Sequence, residues 1–282
     1  MKRPQTADHG RLWSVVCRLI DMKELTILKI GGNILDTPSL LKSMLDCFAS
    51  VKGNKILIHG GGKIANVLMK QLGIEPKMVD GRRITDEKTL EIVTQVYAGL
   101  INKGLVSQLQ SRNCNALGLT GADANTIPAV KRPVKEVDYG FVGDIDTSLV
   151  NATKIQGLME LGLVPVFAPL THDSKGSMLN TNADTIASSL AIALAKYYIV
   201  KLIYCFEKNG VLSNPDDESS VIDKITEKAF SDFKSQGVIH SGMIPKLDNA
   251  FAALKSGVSE IIICGPGAFS TTSFIPGTTI HL

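Results

Sequence analysis

Two glycine clusters follow apolar, β-rich runs in the N-terminal half of the chain: KIGGN (29–33) and HGGGK (59–63). Glycine has no Cβ, so successive main-chain N–H groups can close around an anion. A helix starting directly after the second cluster would add the positive end of its dipole. One such turn is no more than a tight bend. Two of them, at the ends of neighbouring βα units, suit a phosphate. Neither matches GxxxxGK[ST] or GxGxxG, which argues against a P-loop kinase and a Rossmann dehydrogenase.

Charge sits in unusual settings at four further places. Lys29 lies between Leu28 and Ile30 in an apolar strand. It either meets an anion or carboxylate, or marks an edge turned to water. NTNAD (180–184) precedes the small-residue run IASSLAIALA, and Asn182 or Asp184 could cap the helix that run predicts. GMIPK (242–246) places Lys246 at a helix start, where a cation opposes the dipole unless an anion compensates. The other reading of Lys246 is a solvated surface lysine. Arg82 and Arg83 follow Gly81 in a turn and either face solvent or hold a carboxylate.

The elements that must position these residues alternate along the chain from Met22 onward. Strands are predicted over 25–30, 55–59, 115–121, 164–169, 198–206 and EIIIC (260–264). Helices are predicted from Pro38 to about Phe48, after Gly62, from Thr85-Asp86-Glu87 to about Gln110, and near 152–161, 184–196, 226–236 and 243–256. VKRPVKEVDYGFVGDI reads as a hairpin region. Repeated βα units predict a mostly parallel sheet between helices, and YIVKLIYCF is apolar enough for a central strand.

Composition narrows the function further. The chain has 282 residues, and its 44% apolar content supports a packed core. The balance of 30 basic against 27 acidic residues gives no footprint for nucleic acid or an anionic membrane. Five scattered cysteines without a CxxC pair point away from a disulfide scaffold or zinc site and toward a reducing cytoplasm. No metal-ligating cluster is legible. Leu12, Val15, Val16, Leu19 and Ile20 share the spacing of a short amphipathic helix within an N-terminal extension, 1–22.

KIGGN, HGGGK, DGRRITD, GFVGDI, NTNAD and GMIPK occur in the order and approximate spacing of the N-acetylglutamate kinases, so the chain resembles that branch of the amino acid kinase family over about residues 23–282. The resemblance implies a three-layer αβα sandwich in two lobes, 23–196 for the N-acylglutamate and 197–282 for ATP. It implies transfer of a phosphoryl group to the side-chain carboxylate of N-acetyl-L-glutamate, a step of arginine biosynthesis. Lys29 and Lys246 would stabilise the transferring group and touch the nucleotide, and Asp184 would orient them. Gly32, Gly60 and Gly61 would donate main-chain N–H groups, and Arg83 with Asn180 would hold the α-carboxylate. Mg²⁺ would be held mainly by the nucleotide phosphates. A homodimer without strong arginine feedback is expected.

Two places depart from the family pattern. Relatives usually carry Ser/Thr-Asp-Val after the strand that opens the nucleotide lobe. Here CFEKNGVL puts Glu207 and Lys208 near that place, with Gly210 keeping the turn, so Glu207 and Gly210 are the candidate nucleotide contacts. The residue before the substrate arginine is usually apolar. Here it is Arg82, which could pair with a second carboxylate and so admit a succinyl group. The competing readings are another amino acid kinase, acting on uridylate, carbamate or aspartate, and a sensor that keeps the fold without turnover.

Overall fold

Alternation along β-strands sorts the apolar residues of this chain onto two faces. In a computed structural model, which describes residues 22–79, 81–214, 216–239, 243–267 and 276–282, the strands are β1 (Glu24–Ile30), β2 (Asn54–His59), β3 (Met78–Val79), β4 (Arg82–Arg83), β5 (Ala116–Leu119), β6 (Val130–Lys131), β7 (Gly143–Asp144), β8 (Val164–Phe167), β9 (Leu170–His172), β10 (Met178–Asn180), β11 (Ile199–Cys205), β12 (Lys224–Thr226), β13 (Glu260–Cys264) and β14 (Thr278–His281). Eight of them form one sheet in the order β12-β14-β13-β11-β1-β2-β8-β5. Pairing is parallel except between β13 and β14.

The helices are α1 (Gly32–Asp36), α2 (Pro38–Ser50), α3 (Gly62–Gln71), α4 (87–110), α5 (Ala152–Glu160), α6 (Ala183–Leu194), α7 (Glu227–Ser235) and α8 (Ile244–Lys255). Leu28, Ile30, Leu57, Ile203 and Ile262 face a core completed by α2, α3 and α4. Leu25, Ile27, Ile56, Ile58, Leu202 and Ile261 face the opposite core, with α5, α6, α7 and α8. The fold is therefore the expected three-layer αβα sandwich.

β1 pairs with β2 on one side and β11 on the other. The two expected lobes thus share one continuous sheet. Chain order reverses at β1, so the carboxyl ends of β1, β2 and β11 lie at a topological switch point, the place where open α/β sheets hold ligands. Lys29 stands in register with Tyr204 of β11 and Ile58 of β2. By period-two alternation it faces the α6 side, with Ile27 and Leu25.

Several elements were not expected. They are the five-residue α1, the short β9–β10 and β3–β4 ribbons, and β12 and β14 at the sheet edge. All are too short to show a hydrophobic period. Within α4, Gln95–Ile101 is a π-helical turn flanked by ordinary helix. The helix expected over 12–20 lies outside the described residues, as does Gly242 of GMIPK. Among the described residues no helix is long and apolar enough to cross a membrane.

Candidate active site

The residue that organises the site is Asp184, in the first turn of α6. The side chain of Asn182 accepts from the N–H groups of Asp184 and Thr185 and so caps the helix. This settles which of the two caps, and it leaves the Asp184 carboxylate free. Lys29 Nζ lies 2.7 Å from Asp184 Oδ1, and Lys246 Nζ lies 3.9 Å from Oδ2. Lys246 sits in the first turn of α8, and Asp184 is the anion that offsets the helix dipole there. Burial pushes the Lys246 ammonium below the ordinary lysine range, Asp184 and Glu207 oppose that shift, and Lys29 adds to it. One carboxylate between two ammonium groups leaves a net positive spot at the ends of β1 and α8.

Sequence inspection did not single out the ring of Phe206, immediately after β11. Lys29 Nζ lies 4.4 Å and Lys246 Nζ 3.5 Å from its centroid. Phe206 is stacked on Tyr204, with ring planes 5° apart. The Tyr204 hydroxyl donates to the Asp184 carbonyl at 3.4 Å, and burial raises its pKa far above the usual phenol value.

The glycine turns divide their donors. Gly31 N–H donates to Cys205 O at 3.0 Å and Gly60 N–H to Ile30 O at 3.1 Å, so both are occupied in sheet-end pairing. Among the described residues, Gly32 and Gly61 N–H groups donate to no main-chain carbonyl. A Cβ on Gly32 would meet open space, whereas one on Gly61, at φ +153°, would overlap Ile101 and crowd Tyr97 of the π-helical turn. Lys63 donates to Asn33, which ties the two turns together.

His59 supports the second turn from beneath. It is fully buried; Nδ1 lies 2.7 Å from Gly60 O and Nε2 lies 3.2 Å from Asn102 Nδ2. Asn102 Nδ2 also donates to Val166 O at 2.9 Å, so it is the amide nitrogen, and His59 Nε2 must accept from it. His59 is therefore neutral with its proton on Nδ1, donating to Gly60 O. Burial holds its pKa down at about 4. Turning the Gly60 carbonyl inward sends the N–H of the same planar peptide, that of Gly61, the opposite way.

Arg83 is 7% exposed and reaches the same place. It donates to Gly62 O at 3.1 Å and to Met69 Sδ at 3.3 Å. Among the described residues no carboxylate lies within 4.0 Å of it, an arrangement that calls for an anion. Asn180 donates to Thr85 Oγ1 at 3.0 Å, and Thr85 donates to Arg83 O at 3.2 Å, so one hydroxyl links the two expected substrate residues.

Two candidates lie apart from this cluster. Arg82 is exposed on β4, whose alternation sends it away from Arg83. Gly210 is buried against Thr278 and Val221, where a Cβ would sit 2.8 Å from each. Glu207 is exposed beside Phe206, and its charge reaches Lys246. Among the described residues no group of three His, Cys, Asp or Glu side chains could hold a metal ion.

A family profile described as the amino acid kinase family matches residues 24–265. The chain belongs to the amino acid kinase family. Among its relatives, an acetylglutamate kinase of Phocaeicola vulgatus is 55% identical over 260 residues, 92% of this chain and 99% of that protein. One of Cytophaga hutchinsonii is 57% identical over 244 residues, 86% of this chain and 92% of that protein. The crystal structure of smu.665 from Streptococcus mutans UA159 superposes with a TM-score of 0.73 at 28% identity, covering 92% of this chain and 99% of that one.

Proposed function

We propose that this chain transfers the terminal phosphoryl group of ATP to the side-chain carboxylate of N-acetyl-L-glutamate. The observation that carries the reading is Asp184 shared by Lys246 and by Lys29, which stands at the end of β1 just before the Gly31-Gly32 turn. The names of its relatives supply the substrate.

In this reading Arg83 and Asn180 hold the α-carboxylate, and the free N–H groups of Gly32 and Gly61 receive the reacting end and the phosphates. The acceptor carboxylate, with an ordinary pKa near ~4.3, is already ionised at pH 7, so no general base is required. The chemical problem is bringing one anion against another. Lys29 and Lys246 neutralise the group in flight, and Asp184 keeps both ammonium groups aimed at it. Catalysis is then positioning and charge stabilisation along an in-line path. The C-terminal strands β11 to β14 would carry the nucleotide. The described residues do not form a magnesium cage, so an ion would be held by the polyphosphate itself, and no step is assigned to it. A cytoplasmic homodimer belongs to the same reading and is tested by sedimentation.

A hydroxamate assay on the purified chain, with ATP and either N-acetyl- or N-succinyl-L-glutamate, tests the proposal. Acyl phosphate forming with the acetyl substrate is the expected result. No acyl phosphate from either would refute it, and a strong preference for the succinyl form would reassign the acyl group.

A further inference from the structure

The two site lysines share one contacting carboxylate, Asp184, while exposed Glu207 acts on Lys246 from beyond salt-bridge distance, so the buried cluster of Lys29, Lys246 and Asp184 carries an excess positive charge. A second carboxylate would steady them. It would also cancel the charge that an incoming polyphosphate needs, and would repel that polyphosphate. The face of an aromatic ring attracts an ammonium group through its quadrupole and carries no net charge.

Phe206 is placed to do this. Its centroid is 3.5 Å from Lys246 Nζ and 4.4 Å from Lys29 Nζ. The ring is fixed by its parallel stacking on Tyr204 and by the Phe206 N–H bond to Cys264 O at 2.9 Å.

We propose that Phe206 is a positioning residue for phosphoryl transfer, holding Lys246 and Lys29 charged and converged on the reaction point without neutralising them. The inference rests on the kinase reading above. Packing alone would be served by Leu. A quadrupole is not, and the two differ in what they do to the ammonium groups. Among the described residues, the charged groups facing Lys246 are Asp184 from α6, Lys29 from β1 and Glu207 after β11. Among these, the ring adds stabilisation of the protonated form. Removing it therefore lowers the pH at which Lys246 loses its proton.

The test replaces Phe206 by phenylalanine bearing one, two or three ring fluorines, which weakens the quadrupole stepwise at nearly constant shape, and by Leu in Phe206→Leu. The expected result is a stepwise fall in kcat, on the order of tenfold across the series, with KM for the acyl amino acid unchanged because Arg83 is untouched. The alkaline limb of the kcat profile should move to lower pH in step. NMR titration of ¹⁵N-labelled lysine Nζ reads Lys246 directly, without turnover, and should show the same downward move in Phe206→Leu. A flat fluorine series with an unmoved Lys246 titration overturns the proposal while leaving the kinase reading intact. Wild-type protein that forms no acyl phosphate overturns the kinase reading, and the Nζ titration then still decides whether the ring holds the charge.

Discussion

Acid should unfold this protein in part through one imidazole. His59 is fully buried, donates from Nδ1 to Gly60 O and accepts at Nε2 from Asn102. A proton on Nε2 would face the Asn102 amide nitrogen, which is fixed there by its bond to Val166 O. The folded-state pKa is about 4 against the ordinary 6.5. Because the folded value is the lower one, the unfolded chain binds the extra proton first. Stability is fully present above pH 6.5 and is lost as the pH falls toward 4. That gap corresponds to ~3 kcal/mol at its limit, of which about 2 kcal/mol is lost between about pH 7 and about pH 5. The assay is urea unfolding followed by circular dichroism at those two pH values, on wild type and on His59→Gln. The variant is less stable throughout, but it has no imidazole to titrate, and the carboxylates common to both proteins cancel in the comparison. Wild type should lose about 2 kcal/mol more than the variant over the interval. Parallel losses in the two proteins would refute the neutral, doubly bonded His59 and with it the orientation assigned to the Gly60–Gly61 peptide.

Other perturbations separate the parts of the site. Lys29→Ala or Lys246→Ala should lower kcat by on the order of a hundredfold or more with KM little changed, because each acts on charge present only during transfer; near-normal turnover in steady-state kinetics would remove them from the mechanism. Arg83→Ala should instead raise KM for the acyl amino acid by on the order of a hundredfold, since a buried charge-assisted contact to its carboxylate is lost. Gly61→Ala places a Cβ onto Ile101 in a backbone conformation that side chains rarely adopt; it should cost about 1–3 kcal/mol of stability by thermal melting and weaken substrate binding further.

How much of this was legible depends on how local the signal is. Sheet strands and long helices announce themselves by period, and the glycine turns by composition, so the αβα sandwich and the region around residues 29–33 and 59–63 were readable. Short pieces such as α1 and β14 carry no period. NTNAD showed that a cap was needed but not whether Asn182 or Asp184 supplied it. The Lys246 puzzle, a cation in a helix's first turn, could be posed from sequence and was answered only by an aspartate 62 positions away (246 − 184). The Arg82-Arg83 pair looked symmetrical until strand alternation sent one inward and the other to solvent. Phe206, Tyr204, His59 and Asn102 gave no separate signal, because each is an ordinary residue for its place in a strand or helix.

The sequence by itself determined the repeating βα order, the two anion-seeking turns and the inventory of lysines, arginine and aspartate, since these follow from neighbours along the chain. Only the tertiary structure decided that β1 lies between β2 and β11, that Lys29 faces α6, and that two ammonium groups converge on Asp184 over an aromatic ring. Those facts depend on strand register and on which face of the sheet a helix covers. Both are set by packing between segments far apart in the chain, where no local pattern of residues can specify distance.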